Sequence, residues 1–168
     1  MNYVQFSKLY DLYSSRGFKI LAFPCNQFGA QEPVRFMLTN FACLTHLNMT
    51  WHRLTYSPPC TISFGVGDTQ GTKEQILEFV ESKFGAKDKF TWFEKGHVNG
   101  AKTRELYSFL KGKLPSDDGT ADIRWNFAKF LIDHEGTPFK RYGPKTNPED
   151  LGSDIEQLLK KMEDAVKG

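Results

Sequence analysis

Two short stretches of this chain gather the side chains best suited to chemistry. Phe23-Pro24-Cys25-Asn26-Gln27-Phe28-Gly29-Ala30-Gln31-Glu32-Pro33 is an apolar run passing into a polar turn, and Trp125-Asn126-Phe127 stands just ahead of Lys129-Phe130-Leu131-Ile132. The amides of Gln31 and Asn126 and the indole N–H of Trp125 are neutral hydrogen-bond donors. Such donors suit a site that stabilises an anion without supplying a counter-charge. Each residue alone has a plainer reading: a Trp before a strand is usually a core aromatic, and Gln or Asn is an ordinary turn residue. Their combination points to a site.

The sulfur chemistry is limited. Cys25, Cys43 and Cys60 make an odd count with no CxxC and no regular spacing. That excludes a disulfide framework, argues against a thiol–disulfide oxidoreductase and favours a reducing compartment. Cys25, beside an apolar strand, is expected to be a plain buried thiol rather than a nucleophile. Cys43, His46, His52 and Cys60 could be drawn as a zinc site, but their spacing is irregular and no flanking motif supports it, so no metal is expected.

The elements that must position these residues read as an α/β domain. Val4, Phe6, Leu9, Tyr10, Leu12 and Tyr13 follow a helical period that Gly17 ends, and Phe18–Phe23 is a short buried strand stopped by Pro24. Thr72-Lys73-Glu74-Gln75 is an N-cap pattern opening a helix through Ile76, Leu77, Val80 and Phe84, closed by Gly85. Phe90–Phe93 is a strand, Val98-Asn99-Gly100 a turn, and Thr103–Lys113 an amphipathic helix. Phe130–Asp133 and Pro138–Tyr142 form a hairpin around a glycine turn, and Asn147-Pro148-Glu149-Asp150 opens a last helix. Val34–Gln70 has no sustained period and almost no charge.

Composition narrows the function class. With 168 residues, 39% hydrophobic and 25% charged, the chain fits one globular domain. A net charge of +2 gives no reason to expect nucleic acid or an anionic membrane as partner. No apolar run approaches the roughly 20 residues that span a bilayer. Met1-Asn2-Tyr3-Val4-Gln5 lacks the pattern of a secretory signal.

The residues of 23–33, together with Trp125-Asn126-Phe127-Ala128-Lys129-Phe130-Leu131, Val98-Asn99-Gly100 and Lys140-Arg141-Tyr142-Gly143-Pro144, resemble the hallmark stretches of the glutathione peroxidase family, FPCNQFGxQEP and WNFxKFL. The resemblance covers Asn2–Pro33 and Gly71 to about Leu159. It implies a thioredoxin-like fold, a mixed sheet flanked by helices. It also implies a selenocysteine or cysteine nucleophile surrounded by Gln31, Trp125 and Asn126, and a thiol-dependent reduction of hydrogen peroxide and organic or lipid hydroperoxides.

Two departures accompany it. The family's nucleophile lies in an NVASxCG-like stretch just ahead of the helix that begins at Asn2, so the first strand and the nucleophile are expected to be missing from this chain. Further, residues 34–70 interrupt the family sequence within a single domain, 1–168; joining Pro33 to Gly71 restores it. The interruption reads as a retained intron or as a genuine surface insertion.

Within the family, thioredoxin-reduced members carry a resolving cysteine where this chain has Phe79-Val80-Glu81-Ser82. The resemblance therefore implies glutathione as co-substrate, no bound cofactor, and a one-chalcogen mechanism compatible with selenocysteine. The short segment from Leu114 to Trp125 implies a monomer of the kind that meets lipid hydroperoxides at a membrane. Lys113, Arg124, Lys140 and Arg141 could attract an anionic thiol or headgroup, or be plain surface charge. The cytoplasm is the expected location, with organellar targeting left open. The opposing reading is an inactive or binding-only fragment.

Overall fold

The computed structural model describes residues 2–28, 61–66 and 72–167. Their order is α1 (Asn2–Tyr13), β1 (Lys19–Pro24), β2 (Thr61–Val66), α2 (Lys73–Phe84), β3 (Thr91–Trp92), α3 (Glu105–Lys113), β4 (Lys129–Ile132), β5 (Pro138–Tyr142) and α4 (Gly152–Lys167). The strands form a mixed sheet in the order β3-β1-β2-β4-β5. β1 runs parallel to β2 and β3, whereas β2–β4 and β4–β5 are antiparallel.

Side chains alternate across a strand, so each buried strand feeds two cores. Ile20 and Ala22 of β1 and Leu131 of β4 face one layer, built with Tyr3, Phe6 and Leu9 of α1, Ile76 and Val80 of α2, and Ile155, Leu158 and Leu159 of α4. Phe23, Phe130 and Ile132 face the other, with Tyr107 and Leu110 of α3. Every residue of β4 is buried, as expected of a strand covered on both faces. Phe6, Phe18 and Phe130 are wholly inaccessible, and each such side chain contributes about 2–3 kcal/mol by leaving water.

Local signals hold where they were sharpest. Thr72 caps α2 in a reciprocal box: its backbone N–H donates to Gln75 Oε1 at 2.8 Å, and Gln75 N–H donates to Thr72 Oγ1 at 3.4 Å. Gly85 ends α2 at φ 55°, in the left-handed region that favours glycine. Asn147 and Asp150 form a second capping box, but the first turn after it, Pro148–Leu151, is a 3-10 helix that passes into α4.

Two expectations shift. In α1 the inward stripe is Tyr3, Phe6 and Leu9, while Val4 and Leu12 face outward at 44% and 64% exposure. Alternating apolar residues on adjacent faces made the stripe look wider than the face α1 packs. The second shift concerns residues 34–70. Thr61–Val66 lies inside that stretch, yet it pairs with β1 from Lys19↔Thr61 to Pro24↔Val66 and with β4 from Thr61↔Ile132 to Phe64↔Lys129. The sheet is thus centred on a segment expected to stand outside it. The backbone reason is plain: β1 and β4 each present an edge, and a strand between them satisfies both.

Candidate functional site

The site begins where β1 stops. Past Pro24 the chain turns, and the Gln27 N–H donates to Cys25 Sγ at 3.4 Å while the thiol donates to Gln27 Oε1 at 3.8 Å. Cys25 is 2% exposed and packed in the second core. The sequence expectation of a buried, structural thiol therefore matches its surroundings.

Gln27 then ties this turn to the next. Its Oε1 accepts from Val98 N at 2.7 Å and Asn99 N at 3.0 Å, and its Nε2 donates to Asn99 O at 3.0 Å. Asn99 passes the connection on. Its Nδ2 donates to Ile123 O at 2.6 Å, and its Oδ1 accepts from Ile123 N at 2.9 Å and Lys111 Nζ at 3.0 Å. Lys111, almost wholly buried, also pairs with Asp122 at 3.2 Å. A chain of side-chain amides thus runs from the first quoted stretch to the approach of the second.

At the end of that chain stand the residues singled out for chemistry. Trp125 is 50% exposed, and its ring lies 6.3 Å from that of Phe28, centroid to centroid. Asn126 is 3% exposed. The two stretches, distant in sequence, therefore meet through Phe28 and Trp125. Gln31 lies outside the described residues, as do Cys43, His46, His52 and Cys60 of the alternative zinc set.

Phe127 follows with φ 59°. A bulky side chain in the left-handed region costs about 1–3 kcal/mol and persists only when its surroundings impose it. The carbonyl of this residue is held by Lys129. That side chain is wholly inaccessible, and its Nζ donates to Phe127 O at 2.8 Å and to Thr146 O at 2.7 Å. Burial pushes its amine down to about 8, partly offset by the charge of Asp150.

The cations named as anion attractors are largely committed to the protein. Arg141 donates to Leu114 O, Ala121 O and Asp122 O at 3.3, 3.0 and 2.9 Å and stacks over Phe130 at 5.3 Å. Desolvation moves its guanidinium below its ordinary range, but it remains a cation. Lys140 pairs with Asp154 at 2.8 Å, and Arg124 pairs with Asp118. A cavity of about 300 Å³ beside them mixes Arg124 and Arg141 with Asp117 and Asp118, so its charge favours no sign.

Gln27, Asn99, Lys111 and Lys129 escaped the sequence reading as positioners. Gln27 and Asn99 sit inside quoted motifs, so their amides were visible; their partners were not. Lys129 stood at the start of a strand, where a lysine normally marks solvent.

Comparison with known proteins follows the same lines. The sequence profile of the glutathione peroxidase family matches residues 1–57. A protein of Citrus sinensis named "Probable phospholipid hydroperoxide glutathione peroxidase" is 38% identical over 158 residues, covering 94% of this chain and 71% of that one. A relative from Arabidopsis thaliana, "Probable phospholipid hydroperoxide glutathione peroxidase 6, mitochondrial", is 35% identical over 94% of this chain and 51% of its own. Among solved structures, the crystal structure of T. cruzi GPX1 superposes with a TM-score of 0.57 at 28% identity, covering 94% of this chain and 71% of that one. The α/β architecture described above is thioredoxin-like, as those neighbours are.

Proposed function

Since the chain belongs to the glutathione peroxidase family, we propose that it reduces hydrogen peroxide and organic or lipid hydroperoxides at the expense of glutathione. The observation that carries this reading is the meeting of the two motif stretches, with Phe28 against Trp125 and the Asn126 side chain buried next to it.

The chemistry follows from the donor set. A selenolate or thiolate attacks one peroxide oxygen, the O–O bond breaks, and the departing oxygen takes a proton to leave as water or alcohol. The attacking atom becomes a selenenic or sulfenic acid. One thiol then displaces water from it, and a second thiol attacks the mixed bond to free the resting anion, leaving a disulfide. Two thiols are oxidised for each peroxide reduced. Gln31, Trp125 and Asn126 serve the anion as neutral donors, favouring it over its protonated form.

In this reading the anion is the family's selenocysteine or cysteine, and Cys25, held among the side chains of the second core, is not it. A reducing compartment, the cytoplasm first, suits the thiol chemistry, and the name of the mitochondrial relative keeps an organellar location open. The enzyme works as a monomer and meets lipid hydroperoxides by transient contact with a membrane.

A coupled glutathione-oxidation assay tests this on residues 1–168 and on the same chain extended at its N-terminus by a family-type NVASxCG strand. The extended form is expected to turn over and the shorter one not. Failure of both would favour the inactive-fragment reading. Turnover by 1–168, abolished by Cys25→Ser, would make Cys25 the nucleophile.

A further inference from the structure

Lys129 is an unusual way to begin a buried strand. Its backbone lies between Phe64 of β2 and Tyr142 of β5, with no exposure on either face. A buried ammonium loses its hydration, and an apolar side chain of the same volume would fill the space at lower cost. What the ammonium supplies is reach and donors. Its Nζ turns back two residues to Phe127 O and also takes hold of Thr146 O beyond β5.

The first of those carbonyls belongs to the one described non-glycine residue with positive φ. Phe127 in the left-handed region sets the direction from which Trp125 and Asn126 enter the strand. Relaxing Phe127 to an ordinary conformation would swing its carbonyl away from the Lys129 ammonium. The second carbonyl anchors the same ammonium to the segment after β5, so the tie does not depend on the strained loop alone.

We propose that Lys129 is a positioning residue: its buried ammonium locks Phe127 in the left-handed backbone and thereby fixes the Trp125 indole and the Asn126 carboxamide for catalysis. This rests on the peroxidase reading above. Misplacing catalytic donors by about 1 Å can cost on the order of a hundredfold in rate, so the lock acts on turnover more than on substrate affinity.

The test has a structural arm and a kinetic arm. In 15N-correlated NMR spectra of the wild-type 1–168 chain, the Lys129 ammonium should show protons protected from water exchange. In Lys129→Met, which keeps the length and loses the donors, the Trp125 indole and Asn126 carboxamide signals should shift and broaden. In Lys161→Met, an ion-pair variant on α4, they should stay in place. In the extended form that turns over, Lys129→Met should lower kcat about a hundredfold with KM for peroxide within about twofold. Lys161→Met, which loses only the ion pairs to Asp133 and Glu135, should keep kcat within about twofold.

An ammonium that exchanges freely with water in the wild type overturns the proposal, whether or not the variant folds. So does a folded Lys129→Met with unmoved Trp125 and Asn126 signals, or one that raises KM and spares kcat. Absence of turnover in the wild-type extended form counts against the peroxidase reading alone, because the NMR arm still decides what Lys129 holds.

Discussion

The Gln27 side chain binds the backbone of Asn99 as a neighbouring strand would, accepting from its N–H at 3.0 Å and donating to its carbonyl at 3.0 Å. The ladder between β1 and β3 continues past the strands through Phe93 N to Ala22 O at 2.9 Å and Gly96 N to Pro24 O at 3.0 Å. Where the β1 backbone turns away, the Gln27 amide takes over the pairing. The loop carrying Phe28 is thereby registered against the 97–100 turn.

Gln27→Ala should remove this registration. Each hydrogen bond contributes about 1 kcal/mol net, and the Gln27 side chain is largely exposed, so water can replace part of it. A loss of about 1–2 kcal/mol in urea denaturation is expected, with greater acrylamide quenching of Trp125 as Phe28 loosens beneath it. Unchanged stability and quenching would show that the turn is held by its packing alone.

Asn99→Ala should cost more. The variant strips one acceptor from the buried Lys111 ammonium and two partners from the Ile123 backbone. Leaving a buried charged donor short of a partner costs about 2–3 kcal/mol. Asn99→Ala combined with Lys111→Met should be less damaging than the two losses added, which a double-mutant cycle would read directly.

Lys129 makes stability depend on alkaline pH. Its amine sits near 8 in the folded chain against an ordinary 10.5, so between those values the unfolded state binds more protons. Stability contributed at this site is therefore lowest below about 8 and rises as pH climbs toward 10.5, by up to about 3 kcal/mol. Urea midpoints at pH 7, 8.5 and 10 should show this rise in the wild type, and Lys129→Met should flatten it.

Asp154 gives a slope at the acid end. The hydrogen bond from Lys140 first, and that from the Tyr142 hydroxyl at 2.7 Å second, hold its carboxyl below the usual range. A depressed carboxylate stabilises the fold above its unfolded pKa, and that stability is lost as pH falls through the folded value. Asp154→Asn should thus lower the thermal midpoint near neutrality and reduce its dependence on acid.

Trp125→Phe separates chemistry from packing. The ring that meets Phe28 is kept and the indole N–H is lost, so at 50% exposure the change in stability should stay under about 1 kcal/mol. Peroxide turnover in the extended form should fall by about ten- to a hundredfold. A fully active Trp125→Phe would remove the indole from the donor set.

Local chemistry was legible in the residues themselves. Thr72 with Gln75, Gly85, Gly136 and Asn147 with Asp150 mark their caps and turns because each signal is complete within a few residues. The two motif stretches were legible for the same reason, and so was the burial of Cys25 beside an apolar strand. What lay beyond the sequence were relations that need two distant segments to meet. Thr61–Val66 alternates Ile62, Phe64 and Val66 with smaller residues, a strand signal over six positions that the disorderly text around it obscured. Only the open edges of β1 and β4 make it the centre of the sheet. Lys129 reads as a surface charge until Phe127 O and Thr146 O are brought to its ammonium, and Gln27 as a turn residue until Asn99 arrives beside it. Sequence determines a residue's donors and its local backbone preference; the tertiary structure alone decides which partner comes within 3 Å of them.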